Sequence, residues 1–168
     1  STYDLNGKKI FSKLIEISGT ASGNGMAMDS EGHIYASAAV PFNLMKIRDT
    51  GEIIWGSELS SERNLRALAA DLGTSLYVTG NMKQSPDGNK SKGDSDIFLL
   101  KMYQMGPKLW SKTVGTSLDE TGTSLAIQSD ETIAIVGYVS QSENTSTTLK
   151  GSLDAFVAKY NSEGTKLW

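Results

Sequence analysis

The chain has no cysteine, only three prolines and one histidine, and no long apolar run. Without cysteine there are no disulfides, thiolate nucleophiles or zinc–thiolate sites, and the compartment stays open on this count. The lone His33 supplies neither a metal set nor a triad by itself. No segment approaches the roughly 20 apolar residues of a membrane-spanning helix, and no signal-peptide pattern is present. Basic and acidic residues number 16 and 19, for a net charge of −3. No Lys/Arg run marks a phosphate-reading face, so nucleic acid is excluded as a partner. No apolar stripe keeps helical spacing for three turns. Phosphate-loop and dinucleotide fingerprints are missing too, and no cofactor is expected.

What is present is repetition. Asp49–Trp55, Gln104–Trp110 and Ser162–Trp168 are one phrase, a Gly-containing turn running into an apolar pair and Trp, and Leu5–Phe11 repeats it with Phe for Trp. The spacings from Phe11 through the three tryptophans are 44, 55 and 58 residues, the range of one β-propeller blade. Between these phrases three further slots recur. Gly25–Asp29, Leu68–Asp71 and Leu125–Gln128 form a small-residue strand. His33–Ser37, Ser75–Gly80 and Ile133–Tyr138 follow a tight turn as its hairpin partner. Asn43–Ile47, Asp96–Lys101 and Asp154–Lys159 form the third. The expected fold is all-β: about three four-stranded antiparallel repeats over 11–54, 55–109 and 110–167, plus an N-terminal strand, in one domain spanning 1–168. Trp55, Trp110, Trp168, Tyr35, Tyr77, Tyr138, Phe98 and Phe156 are the expected core between units, since each ring buries about 150–250 Å².

Asp154-Ala155-Phe156-Val157-Ala158-Lys159-Tyr160 with Gly164 and Trp168, and Ala70-Asp71 with Leu76-Tyr77-Val78-Thr79-Gly80, carry a resemblance to the bacterial SBBP-type β-propeller repeat. The resemblance extends over nearly the whole chain. It implies four-stranded blades in a secreted or cell-surface bacterial protein. The first unit departs most, with Asn43-Leu44-Met45-Lys46 in the last slot. Three blades do not close a ring, since propellers have about four or more. The chain is therefore expected to be part of a larger propeller, or half of a two-chain assembly in which the N-terminal strand of one copy completes the last blade of the other.

The candidate sites lie in the loops. Asp87, Asn89, Asp94 and Asp96 place four oxygen-bearing side chains within ten residues, a composition suited to calcium. The spacing is not that of a calcium-binding helix–loop–helix, turns collect the same residues, and Asp96 aligns with Asp154 as a strand-entrance cap. Asp29, Asp71 and Asp130 recur after the inner strand. They would serve an acid–base mechanism if they converged, whereas turn capping explains a recurring Asp equally well. The pair Asp119-Glu120 reads as a solvated turn. The long loops 81–93 and 140–152 interrupt an otherwise regular repeat and point to recognition of a protein or a glycan. Asn81, Asp87, Asn89 and Asn144 are the polar contacts expected there, and Phe42 is an apolar anchor from the first unit. A non-catalytic binding module is the first reading; a carbohydrate-active enzyme using acidic residues near the axis is the alternative.

Overall fold

A computed structural model describes residues 2–3, 5–12, 23–38, 44–59, 63–83, 91–140 and 151–168. Its thirteen strands are β1 (Thr2–Tyr3), β2 (Lys9–Phe11), β3 (Gly23–Met28), β4 (Ile34–Ala38), β5 (Leu44–Ile47), β6 (Ile53–Ser57), β7 (Arg63–Ala70), β8 (Ser75–Met82), β9 (Asp96–Tyr103), β10 (Lys108–Val114), β11 (Asp119–Ile127), β12 (Ile133–Ser140) and β13 (Leu153–Tyr160). All pairings are antiparallel between chain neighbours. They give a first sheet β3-β4-β5-β6, a second sheet β7-β8-β9-β10, a third sheet β11-β12-β13, and a separate β1-β2 hairpin. The all-β repeat expected from the sequence is therefore present. Among the described residues the sheets do not close into a ring, the third has three strands, and the N-terminal element is a hairpin rather than a lone strand. No helix among these residues is long and apolar enough to cross a membrane.

The repeat explains the local structure. Each turn that follows a sheet's third strand ends on a glycine with positive φ, at Gly51, Gly106 and Gly164, and Gly7 has the same conformation in the first hairpin. A side chain is disfavoured there. The N–H groups of Gly51, Gly106 and Gly164 close these turns on the carbonyls of Arg48, Tyr103 and Asn161 at 2.9–3.0 Å. The inner strand of every sheet carries a bulge, at Gly23/Met26, Leu65/Ala67 and Gly122/Ser124. Gly80 and Gly137 lie opposite two of these bulges. A Cβ on either would run into a backbone carbonyl, that of Asn64 or Thr121.

The second sheet sits between the other two. Strands β8 and β9 are buried almost throughout, which is why both read as near-continuous apolar runs. One face of this sheet, with Leu68, Leu76, Val78, Phe98 and Leu100, packs on Tyr35 and Leu44 of the first sheet. The other, with Ala67, Tyr77 and Leu99, packs on Leu125, Ile133, Ile135 and Tyr160 of the third. Tyr35, Tyr77 and Phe98 are fully buried as expected, and Trp55 and Trp110 pack half-buried against these clusters. Trp168 is a correction: it is exposed, because no described residues cover its side of the third sheet.

Candidate functional site

Two polar arrangements stand out. The first surrounds Asp29, at the turn from β3 to β4. Its Oδ1 accepts the N–H groups of Glu31 and His33 at 3.1 and 2.8 Å. Its Oδ2 accepts from the Tyr35 hydroxyl at 3.0 Å, meets His33 Nδ1 at 3.1 Å, and pairs with the buried Lys46 ammonium at 3.2 Å. Burial pushes this carboxyl upward and is the largest single influence. The His33 N–H, Lys46, Tyr35 and the His33 ring together outweigh it and bring the group down to about 2. Asp29, Glu31 and His33 hold their ligand atoms within 4.8 Å of one another. Lys46 already neutralises Asp29, so a cation there would have to displace an ammonium from a buried carboxylate.

The equivalent turn of the second sheet repeats this geometry without the histidine. Asp71 Oδ1 accepts the N–H groups of Gly73 and Ser75 at 3.0 and 2.9 Å. Lys101 lies 5.1 Å above the Tyr77 ring, as Lys46 lies 5.1 Å above Tyr35. In the third sheet the slot belongs to Gln128, whose N–H meets the Thr132 carbonyl as those of Asp29 and Asp71 meet His33 and Ser75. Asp130 lies two residues on and accepts the Thr132 N–H at 3.0 Å. All three carboxylates are bonded to turn backbone, as turn capping requires.

The second arrangement is a groove of about 480 Å³ between the second and third sheets. One wall is β10 and the residues after it, Lys112 to Thr116; the other is the outer edge of β13, Phe156 to Ala158. In the first two sheets a fourth strand covers the edge of the third, as β10 covers β9 with Lys112 opposite Leu99 and Val114 opposite Ile97. On β13, residues 165–168 cover only one end: Lys166 bridges Tyr160, and Lys159 exchanges hydrogen bonds with Leu167 and Trp168. Successive backbone groups along an edge alternate in direction, so those of Leu153, Ala155 and Val157 point outward as those of Lys159 do. Among the described residues no strand pairs with them.

Glu120, Tyr160 and three lysines (Lys92, Lys112 and Lys166) also line the groove. Glu120 is buried. Its Oε1 accepts the Thr116 N–H at 3.0 Å and the Thr116 hydroxyl, while its Oε2 has no hydrogen-bond partner among the described residues. Burial raises this carboxyl, Thr116 pulls it back, and Asp96 and Asp119 reinforce the rise. The Tyr160 hydroxyl is likewise buried without a hydrogen-bond partner among the described residues, and burial pushes it up to about 12.

The expected site residues fall in several places. Asp87, Asn89, Phe42 and Asn144 lie outside the described residues. Asn81 ends in β8 and donates from Nδ2 to Ser95 Oγ at 3.0 Å. Asp96 is fully buried and accepts the N–H groups of Lys92 and Gly93 at 2.9 and 3.2 Å. The Asp94 N–H donates to Asp119 Oδ1 at 2.9 Å. Glu120 was read as part of a solvated turn, and the structure places it in β11 with its side chain inside. The buried alternation of Leu118, Glu120 and Gly122 is the signal that marks it.

The fold defines the class as an all-β protein of repeated antiparallel sheets. No protein-family model matches the chain. It is similar to the regulatory protein FlaEY of Caulobacter vibrioides, with 31% identity in a 112-residue alignment that covers 56% of this chain. The match spans 11% of that protein's length. A solved structure of a protein of unknown function from Bacteroides caccae is similar with a TM-score of 0.41 and 10% identity, covering 97% of this chain and 85% of that one.

Proposed function

We propose that the three sheets are successive blades of a β-propeller at a bacterial cell surface, and that the module is non-catalytic and binds a protein partner as an extended strand in the groove between the second and third sheets. The groove carries this reading, with the outward backbone groups of Leu153, Ala155 and Val157 along one wall and no strand paired with them among the described residues. An unpaired edge recruits strands, and strand addition combines main-chain hydrogen bonds with side-chain pockets. In the second sheet β10 occupies the corresponding place. The three lysines in its lining favour acidic residues on the groove-facing side of the partner. Both long loops border the groove in sequence, since Lys92 lies near the end of one and Val139 precedes the other. The repeat resemblance supports the propeller and the surface location.

The test is a calorimetric titration with a synthetic peptide of the Lys108–Val114 sequence carrying Ser111→Glu. A second peptide also has proline in place of Lys112 and Val114, which removes the two N–H donors that would face β13. The expected result is binding by the first, weakened at least tenfold in the second. No binding by either, or equal binding by both, would overturn the proposal.

One observation favours a second reading, a carbohydrate-active enzyme: the grouping of Asp29, Glu31 and His33. Retaining and inverting glycosidases need two carboxyls about 5–10 Å apart in a concave site, one of them held protonated. Asp29 is held ionised and is bonded on both oxygens, so it is no proton donor. Turnover of aryl glycosides by the wild type, lost in Asp29→Asn with the fold intact, is the result that would establish this reading over the first.

A further inference from the structure

The second unit departs from its copies at its turns. Turn hydrogen bonds put Ser30, Leu72 and Ser129 at one position of the turn after a sheet's first strand. They also put Arg48, Tyr103 and Asn161 at the start of the turn after the third strand. There Thr50, Met105 and Glu163 precede the glycine, and Glu52, Pro107 and Thr165 follow it. The first and third units are polar at all four positions, where the second has Leu, Tyr, Met and Pro. None of the four is spent on the core. Leu72 is 89%, Met105 76% and Tyr103 45% exposed, and Pro107 is exposed as well.

These side chains stand on a fixed base. Gln104 is buried and ties the two turns together: its N–H donates to the Thr74 carbonyl at 2.7 Å, and its Nε2 donates to the Asp71 and Ser75 carbonyls at 3.3 and 3.2 Å. Its own carbonyl takes the Tyr35 hydroxyl and the Trp55 indole N–H of the first sheet. The second sheet is packed on both faces, and this knob stands at its end, clear of both interfaces. Apolar groups already held in place lose little freedom when a partner covers them.

The surrounding turns are acidic. Within each antiparallel meander the turns after the first and third strands lie at the same end, and the Tyr35–Gln104 and Trp110–Ser162 bonds bring these ends of the three sheets together. The six turns, 29–32, 48–51, 71–74, 103–106, 128–131 and 161–164, hold seven acidic residues and one basic one, Arg48, which pairs with Glu52 at 3.6 Å. Lys108 follows on β10. The exposed Glu31 and Glu131 approach from the first and third sheets, within electrostatic reach of Tyr35 and Tyr77.

We propose that Leu72, Tyr103 and Met105 dock a second partner protein, one that presents an apolar helix face flanked by Lys or Arg. An exposed apolar patch with a polar rim is the mark of such a site, and Tyr and Met are enriched in interfaces. The acidic rim selects a basic partner and repels an anionic lipid surface. The groove carries three lysines, so the two sites take partners of opposite charge, and this site does not rest on the groove.

Fluorescence anisotropy with a labelled synthetic amphipathic Leu/Lys helix, and with its Leu/Glu counterpart, tests it on the wild type and on the double variant Leu72→Ser, Met105→Thr. The first unit already carries serine and threonine at these positions, and circular dichroism checks that the sheets are kept. The wild type is expected to bind the Leu/Lys peptide at least tenfold more tightly than the Leu/Glu peptide, and the double variant to lose at least tenfold of that affinity. Equal binding by wild type and variant, equal binding of the two peptides, or no binding would overturn the proposal. Co-sedimentation of the wild type with phosphatidylglycerol vesicles, lost in the double variant, would overturn it in favour of a lipid surface.

Discussion

At Asp29, backbone N–H groups, a phenol, an imidazole and an ammonium meet on one carboxylate whose side chain is 2% exposed. Five contacts on two oxygens explain why burial does not win there. Its pKa of about 2 lies below the unfolded carboxylate value of about 3.9. The group therefore contributes stability that is fully present above the unfolded value and is lost as pH falls through about 2. The contribution is about 2.6 kcal/mol by linkage. Urea unfolding at a series of acidic pH values should show this loss in the wild type. In Asp29→Ala this segment should vanish, with stability at neutral pH lower by about 3–5 kcal/mol because Lys46 keeps a buried charge without its partner. A variant as stable as the wild type at neutral pH would remove Asp29 from the core of the first sheet.

Among elements, the fourth strand joins one sheet to the next. Trp110 in β10 contributes both a half-buried ring edge-on to Tyr77 and an indole N–H to the Ser162 carbonyl. Trp110→Phe keeps most of the ring and loses the hydrogen bond, at about 1 kcal/mol. Trp110→Ala loses both, at about 3 kcal/mol. Denaturant midpoints check the two values, and equal costs would mean that the hydrogen bond carries nothing.

The strands themselves were legible in the sequence because each slot is written three times with the same alternation. Burial was legible where the covering sheet exists, as at Tyr35, Tyr77 and Phe98. It failed at Trp168, whose environment depends on a neighbouring unit rather than on its own sequence. Asp130 misled for a related reason: its type matches Asp29 and Asp71, but the hydrogen-bonded turn puts Gln128 in their register. The groove was not legible at all. Its walls come from β10 and β13 and its buried carboxylate from β11, three segments with no shared motif.

At the scale of the molecule, the second sheet is covered on both faces and the third on one. Among the described residues, the broad face of the third sheet and the edge of β13 are uncovered. The central claim is that this edge is the binding side, and amide hydrogen exchange reads it directly. In the free protein the outward N–H groups of Ala155 and Val157 should exchange rapidly while that of Lys159, already bonded to the Trp168 carbonyl at 3.0 Å, is protected. Adding the Ser111→Glu strand peptide should slow Ala155 and Val157 at least tenfold and leave the proline-bearing peptide without effect. Slow exchange at both amides before any peptide is added, or no slowing when the peptide is bound, would contradict the account.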